Sequence, residues 1–181
     1  MAKPSHDPRQ IFLNAERFGI SAVILRKVAP RVQAAFLPSA VLKAFSLELY
    51  FKCLIAIETG KPPPTGHNLR WLFDRLNGST KTKIKHYFDN PAEQEELDWR
   101  EKNKNPPAHF PEEALVAPYT FDNILDKSAK AFSQLRYIFE RGLYKPGPIW
   151  SAGYIVTCAR RVIVETHPEW DKPEANYYHR V

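Results

Sequence analysis

The side chains of this chain best suited to acid–base or anion chemistry are charged residues that fall inside apolar stripes. At about 100° per residue, Glu48 and Lys52 share a helical sector with Val41, Ala44, Phe45, Ile55 and Ala56, while Lys43 and Glu58 point elsewhere. Glu preceding Lys by four is the favourable order for an intrahelical pair. Where the helix is apolar nearly all round, both groups are partly desolvated and require further partners. A second helix, beginning at Phe121, offers one. Arg136 falls between Leu125 and Ala129 in angle, inside the apolar stripe, and Glu140 lies one turn further along the same edge. The expectation is that Glu48 accepts a fork of hydrogen bonds from Arg136, with Lys52 and Glu140 completing the network. Such a network fixes helix register, and in some proteins it holds a reacting group as well.

Other positions carry simpler chemistry. His67 is expected to cap or orient the short helix that follows it. Lys81, Lys83 and Lys85 alternate with Thr82 and Ile84 beside His86 and Tyr87, a run suited to phosphate contact or to a solvated face. The four tryptophans are spread along the chain, so packing rather than a stacking platform is expected of them. Cys53 and Cys158 lie among apolar residues and read as small hydrophobes; two lone cysteines make no zinc motif. No Ser-His-Asp set, carboxylate pair or Gly-rich phosphate loop follows from the spacing. No metal or cofactor is expected.

The elements that must position these residues are punctuated by the 16 prolines, most of them clustered, since proline ends helices and cannot donate within a sheet. Residues 10–28 read as a helix with Ile11, Ala15, Phe18, Ala22 and Leu25 on one side. Residues 39–59 read as a central helix, with Ser39 as N-cap and Gly60 as the stop before Lys61-Pro62-Pro63-Pro64. Residues 67–76 form a short helix with Leu69, Leu72, Phe73 and Leu76 inward, ended by Asn77-Gly78, and residues 79–88 a weaker one. Residues 90–101 are acidic and read as exposed; residues 103–119 read as a long proline-containing surface loop. The clearest amphipathic helix covers residues 121–139, between a Thr120 cap and a Gly142 stop. A last helix covers residues 151–166, with Ile155, Cys158, Ala159 and Val162 on one face.

The whole is an all-α up-and-down bundle in one domain, residues 1–181, with tails at 1–8 and 171–181. Composition agrees: 181 residues, 44% hydrophobic and 25% charged, suffice for a core without disulfides or metals. The net charge of +6 permits an anionic partner such as nucleic acid, though spread over a whole domain it does not point to one. No run of about 20 apolar residues suits a membrane span, and no secretory signal opens the chain. A cytoplasmic location is expected.

The stretch at residues 45–76, FSLELYFKCLIAIETGKPPPTGHNLRWLFDRL, resembles the HEPN superfamily of small helical bundles. The resemblance lies in Ser46-x-Glu48-x-x-x-Lys52, then Thr59-Gly60-Lys61-Pro62, then His67-Asn68-Leu69. Arg136-Tyr137-x-x-Glu140 is similar to the Arg-Tyr-x-x-Glu helix of such proteins. The resemblance implies that Glu48, Lys52, His67, Arg136, Tyr137 and Glu140 form a polar network, and that the chain is a homodimer. It implies an RNA- or nucleotide-associated module of bacterial defence or stress regulation, partnered by a cognate antitoxin or a neighbouring nucleotidyltransferase-type protein, with no membrane involved.

Many HEPN proteins are metal-independent endoribonuclease toxins, and others are non-catalytic bundles that bind partners. The nuclease signature, an arginine followed at a short interval by a histidine, is matched by Arg161 and His167, with Arg160 alongside. By that resemblance His167 would manage a proton of the 2′-hydroxyl or the leaving group, and Arg161 the charge developing on phosphate. Along a continuous helix the two would stand about 120° apart and roughly 9 Å along the axis, so they converge only if the chain turns before Pro168.

Overall fold

The computed structural model describes residues 7–28, 35–90, 120–130 and 152–171. Among these residues there are six α-helices, one 3-10 turn and no strand. The helices are α1 (Pro8–Val28), α2 (Phe36–Thr59), α3 (Leu69–Asp74), α4 (Gly78–Asp89), α5 (Phe121–Ser128) and α6 (Ala152–Thr166), followed by the turn Pro168–Asp171. No described helix is long and apolar enough to cross a membrane.

The start of α1 lies two residues before the expected one. Asp7 accepts the Arg9 amide on its side chain and the Gln10 amide on its carbonyl, both at 3.0 Å. Pro8 sits at the first helical position, where a missing N–H costs nothing. Asp7 and Pro8 therefore belong to the fold rather than to a tail. At the other end Asp171 is likewise held, by Arg160.

Helices α1 and α2 form an antiparallel hairpin whose register is set by three bonds. Ser39 donates to the Ala22 carbonyl (2.8 Å), Ser46 to that of Ala15 (2.9 Å) and the Cys53 thiol to that of Pro8 (3.2 Å). Each step forward along α2 thus meets a step back along α1. Small residues permit the approach: a Cβ on Gly19 would lie 3.1 Å from Ser46 Oγ. Each buried hydroxyl bond contributes about 1 kcal/mol net. This pairing also corrects the expected cap. Ser39 lies inside α2, because its hydroxyl is taken by α1; the helix begins after Ala35, which makes no side-chain cap.

Helix α2 is central, with Leu47, Tyr50, Phe51, Cys53, Leu54 and Ala56 buried. Helix α6 runs parallel to it: Lys43 meets Gly153 near one end, and Arg160 reaches Glu16, the acceptor of the Tyr50 hydroxyl, near the other. Helix α4 runs antiparallel to α6. The Tyr154 hydroxyl donates to the Tyr87 carbonyl at one end (3.0 Å), and Lys83 approaches Glu165 at the other. The result is an up-and-down bundle of α1, α2, α4 and α6, braced by the short α3 and α5. Aromatic rings link the layers, with Phe73 against Phe51 and Phe121, and Phe121 against Phe88.

Three boundaries differ from expectation, each for an identifiable hydrogen-bonding reason. Asn68, not His67, caps α3 by accepting the Trp71 amide at 3.0 Å. Asn77 caps α4 by accepting the Thr80 amide (2.8 Å), while its own amide donates to Glu58 (2.9 Å). Helix α5 stops at Ser128 instead of running on through residue 139. The Ala129 amide bonds back to Asp126 (3.2 Å), and the Ala129 carbonyl accepts the Leu69 amide (2.9 Å), which joins the end of α5 to the start of α3. The segment 91–119, with its acidic stretch and proline-containing loop, lies outside the described residues, as do Arg136, Tyr137 and Glu140.

Candidate functional site

Glu48 is fully buried on α2, and its Oε1 is shared by two cationic-type partners. Lys52 Nζ stands 2.7 Å away and His67 Nδ1 2.9 Å away. The side chain of Lys52 is 12% exposed and that of His67 54%. The turn between α2 and α3 makes this possible. Gly60 closes α2 in the left-handed region (φ 61°), with its amide on the Ala56 carbonyl at 2.9 Å, a conformation that costs other residues about 1 kcal/mol or more. Three prolines with fixed φ then carry the chain back to α2. The second oxygen of Glu48, Oε2, is buried without a hydrogen-bond partner among the described residues. The fork expected from Arg136 falls on residues outside the description.

Beside His67, the Trp71 indole lies between Gly66 and Arg75. The Arg75 guanidinium is 3.5 Å from the ring centroid, and a Cβ on Gly66 would come within 3.0 Å of Trp71 Cζ3. Trp71 thus has a cation on one ring face and backbone beside it, yet it stays exposed rather than joining the core.

Arg161 and His167 do not come together. The His167 amide still donates to the Ile163 carbonyl at 2.8 Å, so the chain turns only from Pro168 onward, too late to fold one side chain onto the other. Arg161 places its guanidinium 4.1 Å from the Tyr87 ring centroid, with Nε 3.5 Å from Glu165. His167 instead stacks on Trp170 at 4.1 Å and 7°, and Trp170 packs on Phe12 of α1. Arg160 is committed to Glu16 (2.8 Å) and to Asp171. Burial works against the charge of Arg160, yet these two carboxylates hold its pKa above the ordinary value. Burial, and then Glu16, push the Tyr50 phenol upward as well.

The three lysines of α4 do not form one row either. On a helix, alternate residues point about 200° apart. Lys81 donates to the Asp74 carbonyl (3.3 Å) and Lys85 to Asp122 (2.8 Å), whereas Lys83 turns toward Glu165 on α6 at 3.8 Å. Asp122 also receives Arg70 at 2.8 Å. Its carboxyl is held below the ordinary range chiefly by the Lys85 bond and also by Arg70, with burial opposing.

Glu165 and Glu16 were not singled out in the sequence. Glu165 carried a weak signal, its i+4 spacing from Arg161; Glu16 carried none, because its partners Tyr50 and Arg160 are remote in the chain. Cys53 donates to a carbonyl, and burial followed by the nearby Asp7 charge pushes its thiol up to about 12. Among the described residues no His, Cys, Asp and Glu side chains group in threes as metal ligands would. No family model, curated protein or solved structure matches this chain.

Proposed function

We propose that this chain is a HEPN-like helical module that associates with RNA or a nucleotide, in a bacterial defence or stress-response setting. The observation that carries the reading is the meeting of two resembling segments at one oxygen: Lys52 from Ser-x-Glu-x-x-x-Lys and His67 from His-Asn-Leu both converge on Glu48 Oε1. Their convergence brings the two segments into one polar contact. The exposed member, His67, is an imidazole held against a buried carboxylate, a ring type that suits contact with a phosphate or a base edge. A net charge of +6 is compatible with an anionic partner. The separate surroundings of Arg161 and His167 lend no support to strand cleavage by that pair, so the activity proposed is association.

The test is fluorescence anisotropy of a labelled oligouridylate and a labelled ATP analogue against the full chain in rising KCl, with His67→Ala beside the parent and circular dichroism on both. Salt-sensitive binding, weakened several-fold by His67→Ala, is the expected result. A folded parent that binds neither ligand overturns the reading.

A further inference from the structure

Lys83, from the lysine run read as suited to phosphate, and Arg161, to which the resemblance gave a phosphate role, meet on opposite sides of one carboxylate. Lys83 Nζ lies 3.8 Å from Glu165 Oε2, and Arg161 Nε 3.5 Å from Glu165 Oε1. The Tyr87 hydroxyl also donates to Oε1, and the Arg161 guanidinium lies against the Tyr87 ring at 4.1 Å. Resting on the RNA reading above, we propose that Arg161, Lys83 and Tyr87 form a phosphate-contacting surface for single-stranded RNA along the α4–α6 ridge, with Glu165 as the internal counter-ion that RNA phosphates displace.

Four features carry this. The ridge is open: Lys83 is 52% exposed, Arg161 43% and Glu165 36%. The two ion pairs are long, and exposed pairs of this kind are worth little in water, so exchanging Glu165 for a phosphate forfeits little. Other cations are more tightly committed, with Lys85 and Arg70 on Asp122 and Arg160 on Glu16, each at 2.8 Å. Finally, the Tyr87 ring pre-orients the planar guanidinium, which lowers the entropy lost when it grips two phosphate oxygens. Two cations around one carboxylate leave the ridge net positive.

A purely structural role, clamping α4 to α6, predicts different behaviour. In the proposal, Glu165→Gln frees both cations and tightens oligouridylate binding several-fold. Arg161→Gln and Lys83→Gln weaken it, and each lowers the slope of log affinity against log[KCl] by about 0.7, the value for one phosphate contact on a single strand. The measurement is anisotropy of labelled oligouridylate with the full chain across a KCl series, with thermal melts on every variant. Should Arg161→Gln fail to fold, Arg161→Lys keeps the charge but loses the planar stack, and is expected to keep the slope while losing affinity. If the parent binds but the ridge variants leave affinity and slope unchanged, the ridge proposal is overturned and the RNA reading stands. A parent that does not bind RNA overturns both.

Discussion

Nδ1 of His67 stands 2.9 Å from Oε1 of Glu48, across 19 residues of sequence, with the carboxylate fully buried and the imidazole more than half exposed. A buried charge thereby meets solvent through a neighbour's ring. The same oxygen takes Lys52 at 2.7 Å, so the carboxylate depends on both partners while each partner retains contact with water.

That asymmetry sets the cost of taking the cluster apart. Lys52→Met leaves the buried Glu48 with His67 as its only partner among the described residues, and is expected to destabilise by about 3 kcal/mol. The double variant Glu48→Leu/Lys52→Met removes the charge together with its partner and is expected to cost less. Urea denaturation of the three proteins checks the order. A double variant less stable than Lys52→Met would show that the buried carboxylate is not the source of the cost.

Two glycines are expected to respond to alanine with opposite sign. Gly60 holds a φ of 61° at the end of α2, so Gly60→Ala should destabilise by about 1 kcal/mol. Gly78 opens α4 with nothing within 4 Å of an added Cβ, so Gly78→Ala should stabilise by about 0.5 kcal/mol. Thermal melts of the two variants decide it, and effects of the same sign would contradict the helix-end geometry.

Asp122 makes the acid side of the stability curve testable. Its folded-state pKa is held below the ordinary value of 3.8, chiefly by Lys85 and also by Arg70. Stability from this group is complete above its unfolded-state value and is lost as pH falls through the lower folded-state value. Asp122→Asn should therefore flatten the fall in Tm below about pH 4. Parallel acid limbs in parent and variant would sink the assignment.

Among the described residues Arg161 and His167 share no partner, since one packs on Tyr87 and Glu165 and the other on Trp170 and Glu169. Alanine at each is expected to act additively on RNA affinity, within about 0.5 kcal/mol. Incubation with mixed RNA in EDTA supplies the complementary check. Cleavage abolished by His167→Ala in a folded protein would restore the pair as a nuclease centre.

Cys53 and Cys158 are both buried, and the Cys53 thiol is pushed up to about 12 by burial and then by Asp7. Neither should react with iodoacetamide at neutral pH in the native protein, whereas both should react in urea. Mass spectrometry of native and denatured samples reads this directly; rapid native labelling of Cys53 would refute its burial.

The elements were legible because helix periodicity and capping are local. Apolar spacing gave the inner faces of α3 and α6, and Gly60 marked the end of α2, since a left-handed terminus favours a residue without a Cβ. Locality also explains the misplaced boundaries. Ser39 is a good cap by type, but its hydroxyl met a carbonyl of α1 that no local pattern reveals. The end of α5 was hidden in the same way, by a bond from Leu69, 60 residues back.

The candidate site divides along the same line. The sequence by itself determined that Glu48 and Lys52 share a face one helical turn apart, because that follows from 3.6 residues per turn, and that both would be partly desolvated, because their neighbours in angle are apolar. Only the tertiary structure decided that His67 would reach Glu48, that Arg161 would pack on Tyr87 and Glu165 rather than on His167, and that Lys83 would meet Glu165 while Lys85 met Asp122. Those choices depend on which helices lie side by side and where each turn redirects the chain, a matter of packing between segments far apart in sequence.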